Sequence, residues 1–299
     1  MKLLGWNCNG AFRRKYQALE NFNADIWVVP ESESPAYLLR HKSPLSSAQQ
    51  LWCGQNQSKG LSVFAFNGCQ ISRADFFNPA YRHILPVNIT TADKQKMLLI
   101  AVWASRVKDN SDWDYIGQLC HFMEHNGHLL PPQSLFLGDF NINMQWNSSF
   151  KKEHNYSRFL ELCHTYGFTS LYHHLTGEAQ GQETTFTSYY HRIKRRGYHI
   201  DYAWLGRGLL RRAEAFRIHG GREWLTRSDH MVLEVELGED KERAALRETV
   251  SGEAFLQPED SIQSKPGEGN VKKNSEGIEA GLNREAINIC RHMERLQQQ

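Results

Sequence analysis

Apolar residues recur along the first 238 positions in short runs of strand length, set apart by polar loops and by stretches with a three-to-four residue apolar spacing. Leu3 to Trp6, Ile26 to Val29, Leu61 to Phe66, Met97 to Trp103, Leu135 to Leu137, Ile200 to Leu205 and Met231 to Leu237 read as strands. YQALENF at 16–22, YIGQLCHFMEH at 115–125 and YSRFLELCHTYG at 156–167 read as surface helices, the last stopped by Gly167. Strands and helices mixed in this way predict a layered α/β domain over residues 1–238.

After Leu237 the pattern changes. Residues 239–276 are rich in charge, Gly, Ser and Pro and carry one aromatic residue, which predicts a disordered linker. Over 277–299, Leu282, Ala286, Ile289, Met293 and Leu296 fall on one helical stripe, an amphipathic helix that could dock on the domain or on a protein partner.

Composition narrows the class. The 299 residues are 40% hydrophobic and 23% charged with a formal net charge of +2, so any nucleic-acid site has to be a local patch. The six cysteines contain no C-x-x-C pair, which argues against a zinc ribbon or a disulfide framework and fits reduced thiols. The first residues hold no signal-peptide core and no later run is long enough to span a bilayer, so a soluble cytoplasmic protein is expected.

The candidate chemistry lies where apolar runs end. LLGWNCNG delivers Asn7 and Asn9, DIWVVPES delivers Glu31, and SLFLGDFNIN delivers Asp139, Asn141 and Asn143. YHIDYAWL carries Asp201, and RSDHMVLEVEL opens on Asp229 and His230. Strand ends of one domain converge on a common edge, so groups far apart in sequence can share a site. Carboxylates and amide oxygens suit a hard divalent cation such as Mg²⁺ and the hydrolysis of phosphoesters. Taken singly, each group also has a structural reading. Asn7 and Asn9 suit a turn before Gly10, Glu31 a loop, GDFN a self-bonded turn, and Asp229 with His230 a cap. Asp201, inside an apolar strand, needs a buried partner.

The ordered set WNCNG, PES, GDFNIN, TTFTSYY, YHIDY and SDHMVL resembles the endonuclease/exonuclease/phosphatase superfamily, over roughly residues 1–238. The resemblance implies a four-layer sandwich, two packed mixed β-sheets flanked by helices, with the active site at one end of the sheets. It implies Glu31 as the principal ligand of a Mg²⁺ or Mn²⁺ ion, with Asn7 and Asp229 close by. It further implies Asp139 as the group that orients or activates water and Asn141 as a phosphate or water contact. In the same scheme Asp201 holds His230, and His230 contacts the scissile phosphate.

The chain departs from the family after the strand ending KMLLIAVWASRVKD, where a Tyr or His usually stands and this sequence has Trp103, Ala104 and Ser105. A dedicated abasic-site endonuclease is thereby disfavoured. Trp103 could stack on a base or serve the core. Trp146 and His154 fall in the loop after GDFNIN, where they could line the cleft or simply pack; the resemblance puts Tyr198 where exonuclease-III-like members carry an aromatic, which implies a nucleoside contact. Asn9 and Asn143 are further substrate-contact candidates. The basic run Arg192, Lys194, Arg195 and Arg196 suits either a hairpin tip that discourages edge pairing or contacts to a phosphate backbone. The expected function is a metal-dependent phosphodiesterase, a nuclease acting on nucleic acid. A phosphoinositide or phospholipid phosphatase or phosphodiesterase is the alternative, and a non-catalytic binding module comes third.

Overall fold

A computed structural model of the chain describes residues 1–107 and 111–239. The linker expected at 239–276, apart from its first residue, and the helix expected at 277–299 lie outside the described residues. The strands in chain order are β1 (Lys2–Gly5), β2 (Ile26–Ser32), β3 (Gln49–Asn56), β4 (Lys59–Ala65), β5 (Gln70–Arg73), β6 (Ile84–Thr90) and β7 (Lys96–Trp103). They continue with β8 (Ser134–Asp139), β9 (Phe168–Ser170), β10 (Ser188–Tyr189), β11 (Gly197–Tyr198), β12 (Asp201–Gly206), β13 (Ala213–His219) and β14 (Val232–Leu237). The helices are α1 (Gln17–Glu20), α2 (Pro35–Arg40), α3 (Ile116–Asn126), α4 (Tyr156–Tyr166), α5 (Leu171–Thr176), α6 (Arg207–Leu210) and α7 (Arg222–Arg227).

Two six-stranded sheets form the body, in the orders β13-β14-β1-β2-β4-β3 and β5-β6-β7-β8-β12-β9. Both are mixed: β1 with β2 and β7 with β8 are parallel, and the remaining pairs are antiparallel. Alternate residues of each central strand serve different cores, because successive side chains leave a strand on opposite faces. Leu3, Val28, Val63, Leu99, Leu135, Leu137, Ala203 and Val235 fill the space between the sheets. Their neighbours Leu4, Trp27, Val29 and Phe64 pack outward with Leu19 of α1, Leu38 of α2 and Trp224 of α7. On the far side Ile100, Phe136, Tyr202 and Trp204 meet Phe122 of α3 and Phe159 of α4. Burial on both faces is why these strands read as unbroken apolar runs. The result is the expected four-layer α/β sandwich.

All seven expected strands form. The seven others escape the pattern for physical reasons. β3 and β13 are sheet edges and are mostly only partly buried, so their polar residues tolerate water. β6 carries Pro86, which accepts from the Ala74 N–H just where β5 ends and its missing amide is not needed. The helix expected over 16–22 is reduced to the single turn α1, whereas α3 and α4 match their periodicity, with Gly167 in the left-handed conformation that ends α4 (φ 74°).

Gly138 shapes the end of β8 that presents Asp139. Its φ is +142°, and a Cβ there would lie 2.0 Å from the Val102 carbonyl oxygen of β7. Gly138→Ala is expected to cost about 3 kcal/mol of stability, read as a lowered urea midpoint of the full chain. An unchanged midpoint would show that β7 and β8 can part without penalty.

Candidate active site

Six strand ends meet at one edge of the sandwich. β1, β2, β7 and β8 arrive with their C-terminal ends, leading to Asn7, Glu31, Trp103 and Asp139, while the antiparallel β12 and β14 start there with Asp201 and, just before β14, Asp229 and His230. Asp139 and Asp201 stand directly opposite one another in the β8–β12 pair, and both are buried.

His230 resolves that like-charge pairing. Its Nδ1 lies 3.0 and 2.9 Å from the two carboxylate oxygens of Asp201, and its Nε2 lies 4.0 Å from Oδ2 of Asp139. Burial alone works against a charged imidazole, but the Asp201 and Asp139 carboxylates outweigh it and raise the His230 pKa to about 10. Burial is also the largest influence on Asp139 and drives its carboxyl up to about 8. The neighbouring Asp201 and Glu31 add to this, while His230 and the Asn7 amide oppose it.

Local turns aim the remaining groups. The Asn7 amide donates to Asp139 (2.9 Å) and reaches Glu31 at 3.4 Å, joining the two carboxylates through one nitrogen. Its side-chain oxygen accepts the Asn9 N–H, an Asx turn, and the Asn9 amide reaches across to Asp229 at 2.7 Å. Asp139 likewise accepts the N–H of Asn141, whose amide donates to the Ala104 carbonyl and to Asp139. Asn9, Glu31 and Asn141 all adopt left-handed backbone (φ 52°, 64° and 51°). For Glu31, which lacks the local bonding that makes this region accessible to Asn, that conformation is strained.

Several contributors were not legible as functional. Ser228 donates to the Asn7 carbonyl and accepts the His230 N–H, stapling the β1 exit to the histidine. The Thr187 hydroxyl accepts the N–H groups of Ile200 and Asp201 and fixes the start of β12. Lys15 donates to the carbonyls of Cys8 and Asn9, at 2.6 and 3.2 Å. Burial pushes its pKa down, and the nearby Arg192 guanidinium of the hairpin adds to that push. Lys59, at the start of β4, lies 2.9 Å from Glu31 Oε2 and 5.6 Å from the centre of the Trp103 ring. The His83 ring packs on Trp103 at 4.2 Å with Nδ1 against the Ser105 hydroxyl, and burial, with Arg82 and Lys59, pushes its pKa down to about 4. For Ser228 and Thr187 the signal was their place inside SDHMVL and TTFTSYY. For Lys59 it was a lone cation opening an apolar run.

The structure therefore gathers Asn7, Asn9, Glu31, Asp139, Asn141, Asp201, Asp229 and His230 into one bonded cluster. Trp103 borders it but is only 9% exposed, so it serves as a wall more than as a stacking platform. Asn143 does not join the surface. It is buried beneath the turn, where its amide donates to Glu183, the His199 carbonyl and the Tyr202 hydroxyl while its side-chain oxygen accepts the Gln145 N–H, so both ends of the side chain are satisfied inside the protein. His154 packs on His121 of α3, 4.5 Å between rings, in the outer helical layer. Trp146 meets Tyr198 of β11 at 4.8 Å. β10 and β11 form the arms of a hairpin that is docked on the site by the Tyr189 N–H bond to the Asp229 carbonyl. Its tip exposes Arg192, Lys194, Arg195 and Arg196.

Two donor sets could hold a cation. Asp139, Asp201 and His230 offer ligand atoms within 4.8 Å of one another. Both Asp201 oxygens are already engaged by His230 Nδ1, so this set is largely self-satisfied. Glu31 is more accessible; the Asn7 amide links it to Asp139, and Asp229 is joined to the same turn through Asn9, so their carboxylate oxygens, with the Asn7 side-chain oxygen once it leaves the Asn9 N–H, make a hard-donor set of the kind that suits Mg²⁺ or Mn²⁺.

No family model matches the chain, and no curated protein matches it in sequence. Solved structures do match in fold. The endonuclease domain of TRAS1, a telomere-specific non-LTR retrotransposon, superposes with a TM-score of 0.54 and 14% identity over 79% of this chain and 97% of that one. An AP endonuclease from Archaeoglobus fulgidus gives 0.58 and 15% over 79% and 99%. TDP2 from D. rerio complexed with single strand DNA product gives 0.52 and 15% over 79% and 97%.

The Asp201–His230 pair makes a titration testable. The folded protein holds the His230 proton more tightly than the unfolded chain, so the pair's stabilisation is fully present below pH ~6.5 and is lost as pH rises through about 10. Asp201→Asn should bring the imidazole titration down from about 10 toward ~6.5, followed by NMR of the ring protons. A titration that stayed in place would assign the effect to Asp139 instead.

Proposed function

We propose that this chain, which has the endonuclease/exonuclease/phosphatase fold, is a metal-dependent phosphodiesterase of nuclease type that hydrolyses nucleic-acid phosphodiester bonds. The observation that carries this reading is the buried Asp201–His230 pair facing Asp139 at the same sheet edge as Glu31 and Asp229. A binding module gains nothing from burying carboxylates in register, since each costs desolvation that only a paired charge or a reaction offsets.

A Mg²⁺ or Mn²⁺ held by Glu31, with Asn7 and Asp229 beside it, would polarise the phosphoryl oxygen and shield its charge. Asp139 takes the proton of the attacking water. It does so in its deprotonated form, which burial makes a stronger base than a free aspartate and which a neighbouring divalent cation would favour. Asn141, bonded to Asp139, fixes the carboxylate orientation and lines the approach of water. Asp201 holds the His230 ring through Nδ1 and keeps it charged, leaving Nε2 to donate to a phosphoryl oxygen as negative charge grows there.

The exposed cations of the hairpin support a polyanionic substrate, with Arg192 tied to the Thr226 carbonyl and Lys194, Arg195 and Arg196 turned to solvent. The matched structures point the same way, since they are an endonuclease domain, an AP endonuclease and a protein holding a DNA product. Among the described residues no helix is long and apolar enough to cross a membrane. The five described cysteines are free thiols, which supports a reducing, cytoplasmic setting.

The deciding experiment measures hydrolysis of single-stranded DNA, duplex DNA, RNA and phosphoinositides side by side, with Mg²⁺, with Mn²⁺ and with chelator. Activity on a nucleic acid that chelator abolishes is expected. Turnover of phosphoinositides alone would replace the nuclease reading with the headgroup alternative. Asp139→Ala and Glu31→Ala should each lower the rate by about 10²- to 10⁴-fold while the thermal transition persists, and wild-type-like turnover by either would sink the assignment. Replacing Arg195 and Arg196 by Gln should raise KM and flatten its salt dependence, with kcat little changed.

A further inference from the structure

The ion pair between Lys59 and Glu31 places a full positive charge on the carboxylate that a bound divalent cation would need. Glu31 has two carboxylate oxygens, and both have partners: Oε1 faces the Asn7 amide at 3.4 Å, and Oε2 carries the Lys59 ammonium at 2.9 Å. The lysine is held there from two sides. Its nitrogen also lies over the face of Trp103, 5.6 Å from the ring centre, where the aromatic quadrupole favours a cation. Trp103 is itself fixed, buried to 9% exposure and backed by His83. The Lys59 side chain is 48% exposed, so it can leave Glu31 without unfolding anything around it. The neighbourhood gives a reason for such a residue. Glu31, Asp139, Asp201 and Asp229 crowd one sheet edge, His230 is committed to Asp201 and Asp139, and Lys15 is bonded to the Cys8 and Asn9 carbonyls, so Lys59 is the cation in direct contact with Glu31.

We propose that Lys59 is a built-in counter-cation that occupies Glu31 in place of a divalent metal and competes with it, so that metal affinity is set by the Lys59–Glu31–Trp103 contact. The inference rests on the reading of Glu31 as a metal ligand. It adds that metal entry displaces an ammonium from Oε2, which weakens binding of the ion and leaves the displaced charge on the Trp103 face at the mouth of the site. The gain from pairing is modest for a half-exposed lysine, but repulsion between an ammonium and a divalent ion sharing one carboxylate adds to it.

The test is a calorimetric titration of Mn²⁺ into the full chain, without substrate, for the wild type, Lys59→Met, Lys59→Arg, Glu31→Gln and the Lys59→Met/Glu31→Gln double variant. Lys59→Met should bind Mn²⁺ roughly fivefold or more tightly, and Lys59→Arg, which keeps the charge, should stay near the wild type. The gain must vanish when Glu31 is Gln. Equal or weaker affinity in Lys59→Met, with wild-type binding intact, overturns the role of Lys59 and leaves the site reading standing. A gain that survives in the double variant also overturns it, since it would be a general charge effect. Mn²⁺ uptake by none of the proteins overturns the metal reading itself and this inference with it. Circular dichroism and the thermal transition confirm that each variant is folded.

Discussion

Asp139 and Asp201 face each other across adjacent antiparallel strands, both buried, and the rest of the site follows from that pairing. Two carboxylates in register repel, and each loses its water on burial. The fold answers with one imidazole from the other sheet. His230 bonds both oxygens of Asp201 and turns its second nitrogen toward Asp139. A residue entering β14 of one sheet therefore neutralises residues of β8 and β12 in the other. This fixes how the two sheets align at that edge, and the alignment brings Asn7 and Glu31, from β1 and β2, against Asp139.

The same arrangement divides labour among chemically similar groups. Asp201 is spent on holding a charged histidine. Asp139 is left with two side-chain amides, a backbone N–H and the far nitrogen of His230, and burial raises its basicity. Glu31, in a strained left-handed backbone, projects to the rim where a cation can reach it. Three of the four carboxylates in the cluster thus differ in environment through desolvation and partners, not through residue type. The basic hairpin hangs on this frame through Tyr189 and Asp229, so its charge is presented beside the reactive groups.

Sequence patterning reported what local physics controls. Strands buried on both faces announce themselves as unbroken apolar runs, and every one of those forms. Edge strands such as β3 and β13 must satisfy water and a sheet at once, so their alternation is blurred and they went unread. The motif order exposed the polar cluster because those motifs fall at successive strand ends. It could not show that Asn143, two residues beyond Asn141, turns down into a buried network with Glu183 and Tyr202. Nor could it send His154 to the outer layer beside His121.

Residues of the chain by themselves determined the layered α/β class, the turns after β1 and β8 and the demand that buried Asp201 find a partner, since periodicity, Asx chemistry and desolvation act over a few positions. Only the tertiary structure decided which partners meet. Lys59 reaches Glu31 from a strand beginning 28 residues later, Ser228 staples Asn7 to His230, and His83 backs Trp103. These contacts arise because strands distant in sequence end at one edge, where the register of the sheets sets which side chains face each other to within an ångström.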